Sequence, residues 1–226
     1  MTKGTSQLDI RDVAIPSGGV QLNGRLTRPT GALGLVIFAH GSGSSRHSPR
    51  NQSVAYTLQN EGLGTLLFDL LTEEEEQLEY HTRHLRFNIP LLADRLASVT
   101  RWVAGEKGAD HLPIGYFGAS TGAAAALVAA AQLGETIRAV VSRGGRPDLA
   151  GEALERVVAP TLLIVGERDV PVIQLNQEAG ERLGGKKLLT IVPGATHLFE
   201  ESGTLERVAS LASEWFLKYL HPITVR

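Results

Sequence analysis

The chain has 226 residues, with 22 Lys and Arg set against 24 Asp and Glu for a formal charge of −2, and it contains no cysteine. This near-neutral balance without a basic stripe argues against a nucleic-acid partner, and the lack of cysteine excludes disulfides and Cys-x-x-Cys metal sites. No run approaches the ~18 apolar residues of a membrane span, and the polar start Met1-Thr-Lys-Gly-Thr-Ser-Gln7 lacks the apolar core of a signal peptide, so a cytoplasmic protein with no membrane partner is expected.

The length suits one α/β domain over residues 1–226. In chain order, Arg11–Ile15 and Val20–Arg28 read as two strands around the turn Pro16-Ser-Gly-Gly19. Gly34–Ala39 is a continuous apolar strand, as in a parallel sheet covered on both faces. A helix over Ser53–Asn60 stops at Gly62, and Gly64–Phe68 is the next strand. Leu85, Ile89, Leu92, Leu96, Val99 and Val103 recur with helical spacing and predict one helix over Leu85–Val103. Strand Leu112–Phe117, helix Thr121–Leu133 and strand Ile137–Ser142 follow, then a short helix around Leu149–Arg156. Strand Thr161–Val165, helix Val172–Leu183, strand Lys187–Val192 and helix Leu205–Leu220 end the series. Alternating strands and helices predict a mostly parallel sheet of about eight strands with helices on both faces.

Chemistry concentrates at Gly118-Ala-Ser120-Thr-Gly122, where a strand turns abruptly into an alanine-rich helix. A sharp strand-to-helix turn holds the serine in a strained conformation with its hydroxyl in the open, and it brings strand and helix too close for side chains at 118 and 122. A serine needs a base to take its proton, and the base needs an orienting carboxylate. Two later strands open into loops carrying such groups: Gly166-Glu-Arg-Asp169-Val-Pro171, and Pro193-Gly-Ala-Thr-His197. Singly, Asp169 reads as a turn aspartate and His197 as a surface histidine. The joint order Ser120, Asp169, His197, each after a strand, favours a triad. The strand ending at Ala39 runs into His40-Gly-Ser-Gly-Ser-Ser45, a glycine-rich loop able to aim N–H groups at a developing negative charge. Ser42 and Thr121 are the expected donors, with Gly43 as the alternative to Ser42 and lining the substrate site beside them, and His40 structural.

The motifs His40-Gly41, Gly118-Ala-Ser120-Thr-Gly122, Gly166-Glu-Arg-Asp169 and Gly194-Ala-Thr-His197 resemble the α/β-hydrolase superfamily, and within it the small dienelactone hydrolase-like branch, from about Val13 to Leu220. The resemblance implies a single α/β-hydrolase fold and acyl-transfer chemistry. Dienelactone hydrolases use a cysteine nucleophile, which this chain lacks, so ordinary ester or thioester chemistry is favoured. Large caps in this superfamily commonly enter between the strand near Ser142 and the one near Pro160. Here only an ordinary connection lies between them, so no cap domain is expected.

Glu73–Glu76 reads as a solvated acidic face. His81-x-x-His84 has metal-ligand spacing but no evident third ligand, so neither metal nor organic cofactor is expected. Arg83, Arg86 and Arg143 sit where they could reach the site and hold a substrate carboxylate, with ordinary surface pairing as the alternative. The expected function is a serine hydrolase of small or medium carboxylic esters or thioesters. A lactone or carbon–carbon bond hydrolase with the same triad, or a catalytically silent scaffold, are the alternatives. The small-molecule ester is the expected partner, and a homo-oligomer stays open.

Overall fold

The structure is a computed structural model that describes residues 7–82 and 84–220, apart from the side chains of residues 80–82. Eight strands form one sheet: β1 (Leu8–Ser17), β2 (Val20–Pro29), β3 (Leu35–Ala39), β4 (Gly64–Phe68), β5 (Ile114–Ala119), β6 (Ile137–Arg143), β7 (Thr161–Gly166) and β8 (Lys187–Val192). Their spatial order is β1-β2-β4-β3-β5-β6-β7-β8. The first hairpin and its junction with β4 are antiparallel, and every pairing from β4 to β8 is parallel.

The helices are α1 (Pro49–Asn60), α2 (Glu73–Thr82), α3 (Ile89–Val103), α4 (Thr121–Leu133), α5 (Val170–Arg182) and α6 (Thr204–Tyr219). Side chains alternate across the pleat. Ile37, Leu66, Tyr116, Val140 and Leu163 enter one apolar layer with α3, α4 and α5. Val36, Phe38, Leu67, Phe117, Val141 and Leu162 enter the other with α1 and α6. A strand buried on both faces reads as an unbroken apolar run, which is why β3, β4, β5 and β7 were plain in the sequence. No helix among the described residues is long and apolar enough to cross a membrane.

Two boundaries differ most from expectation. Helix α1 starts at Pro49, with Ser48 as N-cap accepting the Asn51 N–H at 3.3 Å. The helix expected over Leu85–Val103 is divided: a 3-10 turn at Leu85–Phe87 precedes Asn88, whose side chain caps α3 by accepting the Leu91 N–H. The four-glutamate run is the first turn of α2, with Glu73 and Glu74 on the expected solvated face and Glu75 and Glu76 turned partly inward. Glu75 there grips the buried Arg95 with two 2.6 Å bonds, and Glu79, one turn on, is fully buried. Between β6 and β7 there is only a 3-10 stretch, Pro147–Arg156, kinked at Gly151.

Candidate active site

The parallel strands all end toward the same edge of the sheet, where ligand sites gather in such folds. Ser120 sits there between β5 and α4 with φ 50° and ψ −123°, a region L-residues rarely enter. The surroundings fix it. Its N–H donates to the Arg143 carbonyl at 3.2 Å, and its carbonyl accepts from Ala123 and Arg146. A Cβ at Gly118 would lie 2.4 Å from the Ala123 Cα, and one at Gly122 would lie 2.2 Å from the Ala39 carbonyl oxygen. The sharp turn exists because both positions carry no side chain.

Asp169 and His197 come from the loops after β7 and β8. Asp169 stands at the N-cap position of α5, yet its carboxylate makes no capping bond. It meets the His197 Nδ1 at 2.6 Å instead, with side chains 14% and 38% exposed respectively. The loops are laced together: the Arg168 N–H donates to the Ala195 carbonyl at 2.9 Å, and the Gly194 N–H to the Glu167 carboxylate at 2.7 Å. Gly144, at φ 49°, passes beneath the His197 ring; a Cβ there would touch ring atoms at 3.5 Å. Ser120 and His197 open onto one cleft of about 250 Å³, lined also by Gly41, Ser42, Arg50 and Arg143.

Ser42 lies across from Thr121, as expected of the loop after β3, but its N–H donates to the Thr121 hydroxyl at 3.0 Å and the two hydroxyls stand 2.9 Å apart. The loop is thereby tied to the first turn of α4, whose own leading N–H groups have no partner within the helix. Gly43 adopts φ 67° at the tip of that loop.

His40 is buried beneath the loop. The Leu70 N–H donates to its Nε2 at 3.0 Å, so the proton rests on Nδ1, which faces the Gly41 carbonyl at 3.0 Å. Burial holds its pKa below the ordinary 6.5 despite the raising effects of the Gly41 carbonyl and Asp69. The folded protein therefore binds the His40 proton less readily than the unfolded chain. Stability from this group is unaffected at neutral pH and falls as pH drops below about 6.5, by at most about 1.4 kcal/mol per pH unit. Thermal midpoints measured from pH 7 to about 5, above the range of most carboxylates, should fall in the parent protein and flatten in His40→Gln.

The expected arginines part company. Arg86 lines a narrow space beside Ser42 and Gly43, but its Nε donates to the buried Glu79 carboxylate at 2.9 Å and its Nη2 to the Glu79 carbonyl. Glu79 also accepts the N–H groups of Leu85 and Arg86, so the pair ties the chain after α2 against the Ser42 loop. Arg83 lies outside the described residues, as does the side chain of His81 in the metal-spacing pair. Among the described residues no group of three His, Cys, Asp or Glu side chains could hold a metal ion. Arg143 lines the cleft itself. Arg50 lines it too and was missed, although Pro49 after Ser48 is a helix-start signal that would have put Arg50 in the first turn of α1, next to the loop after β3.

A model of the alpha/beta hydrolase domain matches residues 33–212. The chain belongs to the α/β-hydrolase family. Among solved structures, the chain is 59% identical to a dienelactone hydrolase from Anabaena variabilis, with a TM-score of 0.93 over 95% of this chain and 100% of that one. The Pyrococcus furiosus esterase Pf2001, at 21% identity and a TM-score of 0.76 over 94% of each chain, shares the fold. A Mycobacterium tuberculosis protein carrying a phosphoribosyl transferase name is 59% identical over 209 residues, 92% of this chain and 46% of that relative. The chain thus spans about half the length of the curated relatives it matches.

Proposed function

We propose that the hydrolase cleaves small or medium carboxylic esters through an acyl-enzyme on Ser120. The observation that carries this reading is the shared cleft: a serine held at φ 50° by glycine-only packing opens onto the same space as a histidine whose Nδ1 is fixed on a carboxylate at 2.6 Å. In this reading the Ser120 hydroxyl attacks the acyl carbonyl as His197 Nε2 takes its proton. The tetrahedral oxyanion is met by the Thr121 N–H and by the Ser42 N–H, which turns to it from the Thr121 hydroxyl. On collapse, the imidazolium gives its proton to the leaving alcohol, and Asp169 stabilises the charged ring meanwhile. Water then enters, gives a proton to His197 and attacks the acyl carbon; the bond to Ser120 breaks as His197 returns the proton to its Oγ, and the acid leaves.

The 59% identity to a protein named dienelactone hydrolase favours a second substrate reading, a lactone, with ring opening in place of alcohol release. The same steps serve, the leaving oxygen staying tethered to the acyl group. The phosphoribosyl transferase name belongs to a relative about twice as long and supports no assignment here.

A fluorophosphonate probe should label the protein once, on Ser120, as read by peptide mass. Labelling elsewhere, or none, overturns the serine reading. With a cleft of about 250 Å³ and no cap between β6 and β7, p-nitrophenyl acetate and butyrate should exceed the laurate in kcat/KM by roughly tenfold or more, since the long chain gains little apolar burial.

A further inference from the structure

Arg143 ends β6, in register with Ala119 of β5, and its carbonyl accepts the Ser120 N–H, so its backbone is fixed one strand away from the proposed nucleophile. The residue is only 8% exposed, and its Nε and Nη1 are buried with no hydrogen-bond partner. Among the described residues no carboxylate pairs with it. Its neighbour is another cation, Arg50, whose Nη1 reaches Glu200 at 2.8 Å while its Nε is buried and unpartnered. Burial, and secondarily the Arg50 charge, draw the Arg143 pKa down to about 10, which leaves it charged at neutral pH.

An unpaired buried guanidinium is costly, and buried polar groups normally have partners. Arg143 carries such a guanidinium, and the Arg50 guanidinium beside it is satisfied in part, by Glu200; both stand on the wall of the cleft that holds Ser120 and His197 and form a site whose missing component is negative. A guanidinium fork suits the planar or tetrahedral oxygens of carboxylate or phosphate. By contrast Arg86, already spent on Glu79, has no such vacancy to fill.

Building on the ester-hydrolase reading, we infer that Arg143 and Arg50 form an anion subsite of the cleft, so that the substrate is an ester or lactone carrying a carboxylate or phosphate group, held with its acyl carbon at Ser120. Binding such a group replaces the lost hydration of the Arg143 guanidinium, completes that of Arg50 and fixes the ester's position, so it acts on KM and on the orientation of attack together.

The test compares mono-p-nitrophenyl succinate and the p-nitrophenyl ester of 3-phosphonopropionate with the neutral p-nitrophenyl methyl succinate. The parent protein should prefer at least one anionic ester by tenfold or more in kcat/KM, and the better of the two identifies the group. In Arg143→Gln and in Arg50→Gln the preference should fall toward unity. A parent that hydrolyses the neutral ester equally well overturns the subsite while the ester reading stands, as does a preference that neither substitution moves. Should Arg143→Gln fail to fold, Arg50→Gln, on a helix at the surface end of the pair, decides. A binding measurement separates failure of the ester reading from failure of the subsite. In Ser120→Ala protein, succinate or inorganic phosphate should raise the thermal midpoint, and Arg50→Gln in that background should abolish the rise. Absence of any rise with either anion overturns the subsite even if no ester is turned over.

Discussion

Ser120→Ala should lower kcat on an activated ester by at least ~10³-fold while leaving the fold intact. The size follows from the chemistry: without the hydroxyl there is no acyl-enzyme, and what survives is catalysis by oriented N–H groups and by binding. The intact fold follows from the local structure. The Ser120 side chain makes no capping bond to α4, so its removal leaves no buried polar group without a partner. Alanine also meets φ 50° with the same Cβ as serine, and the strain of the turn is unchanged. The thermal midpoint should therefore move little, and the separation of lost turnover from kept stability is the signature of a nucleophile. Near-normal turnover in the variant, with contaminating esterase excluded, would overturn the assignment of Ser120.

The parts of the molecule that were legible in the sequence are those where sterics leave one choice. Gly118 and Gly122 flank Ser120 because backbone atoms of Ala123 and of Ala39 stand where their side chains would be. That necessity showed as G-x-S-x-G between an apolar strand and an alanine-rich helix, and helix Thr121–Leu133 and strand Lys187–Val192 have the bounds expected. The loops that bring Asp169 to His197 were legible because one follows the fully buried strand β7 and the other follows β8, an edge strand whose apolar residues still read as an extended run. Helix α2 was not legible, since its anchoring is polar. Glu75 is held by Arg95, and Glu79 by backbone N–H groups and Arg86, none of which leaves an apolar period. The division of the expected long helix at Asn88 was signalled by Asn88 and Pro90, but Leu85 fell in phase with the apolar stripe of α3 and concealed it. Arg143 could be placed near the site from its strand, but not its lack of a partner, which depends on what the neighbouring elements bring to the cleft.

Gly122→Ala should cost the protein about 3–5 kcal/mol or its folded state outright, an effect far beyond what one methyl group usually does. The new Cβ would lie 2.2 Å from the Ala39 carbonyl oxygen, 2.4 Å from that of His40 and 2.7 Å from the Ala39 carbonyl carbon. These are backbone atoms at the end of β3, a strand paired on both sides, so they cannot swing aside as a flexible side chain would. Relief requires α4 to lift from the sheet, which breaks its packing against α3 and separates Thr121 from the Ser42 N–H. Protein that does fold should thus lose activity by ~10²-fold or more through misplacement of the proposed oxyanion donors. The same substitution at Gly180 is the control. That residue lies inside α5, where a Cβ would meet only the Leu163 Cδ1 at 3.6 Å, an ordinary contact. Gly180→Ala should gain up to about 1 kcal/mol from helix propensity and unfolded-state entropy. Thermal midpoints moving in opposite directions for the two variants would tie the loss at 122 to the close approach of α4 and β3. A Gly122→Ala protein as stable and as active as the parent would show that the helix can lift from the strand end without cost.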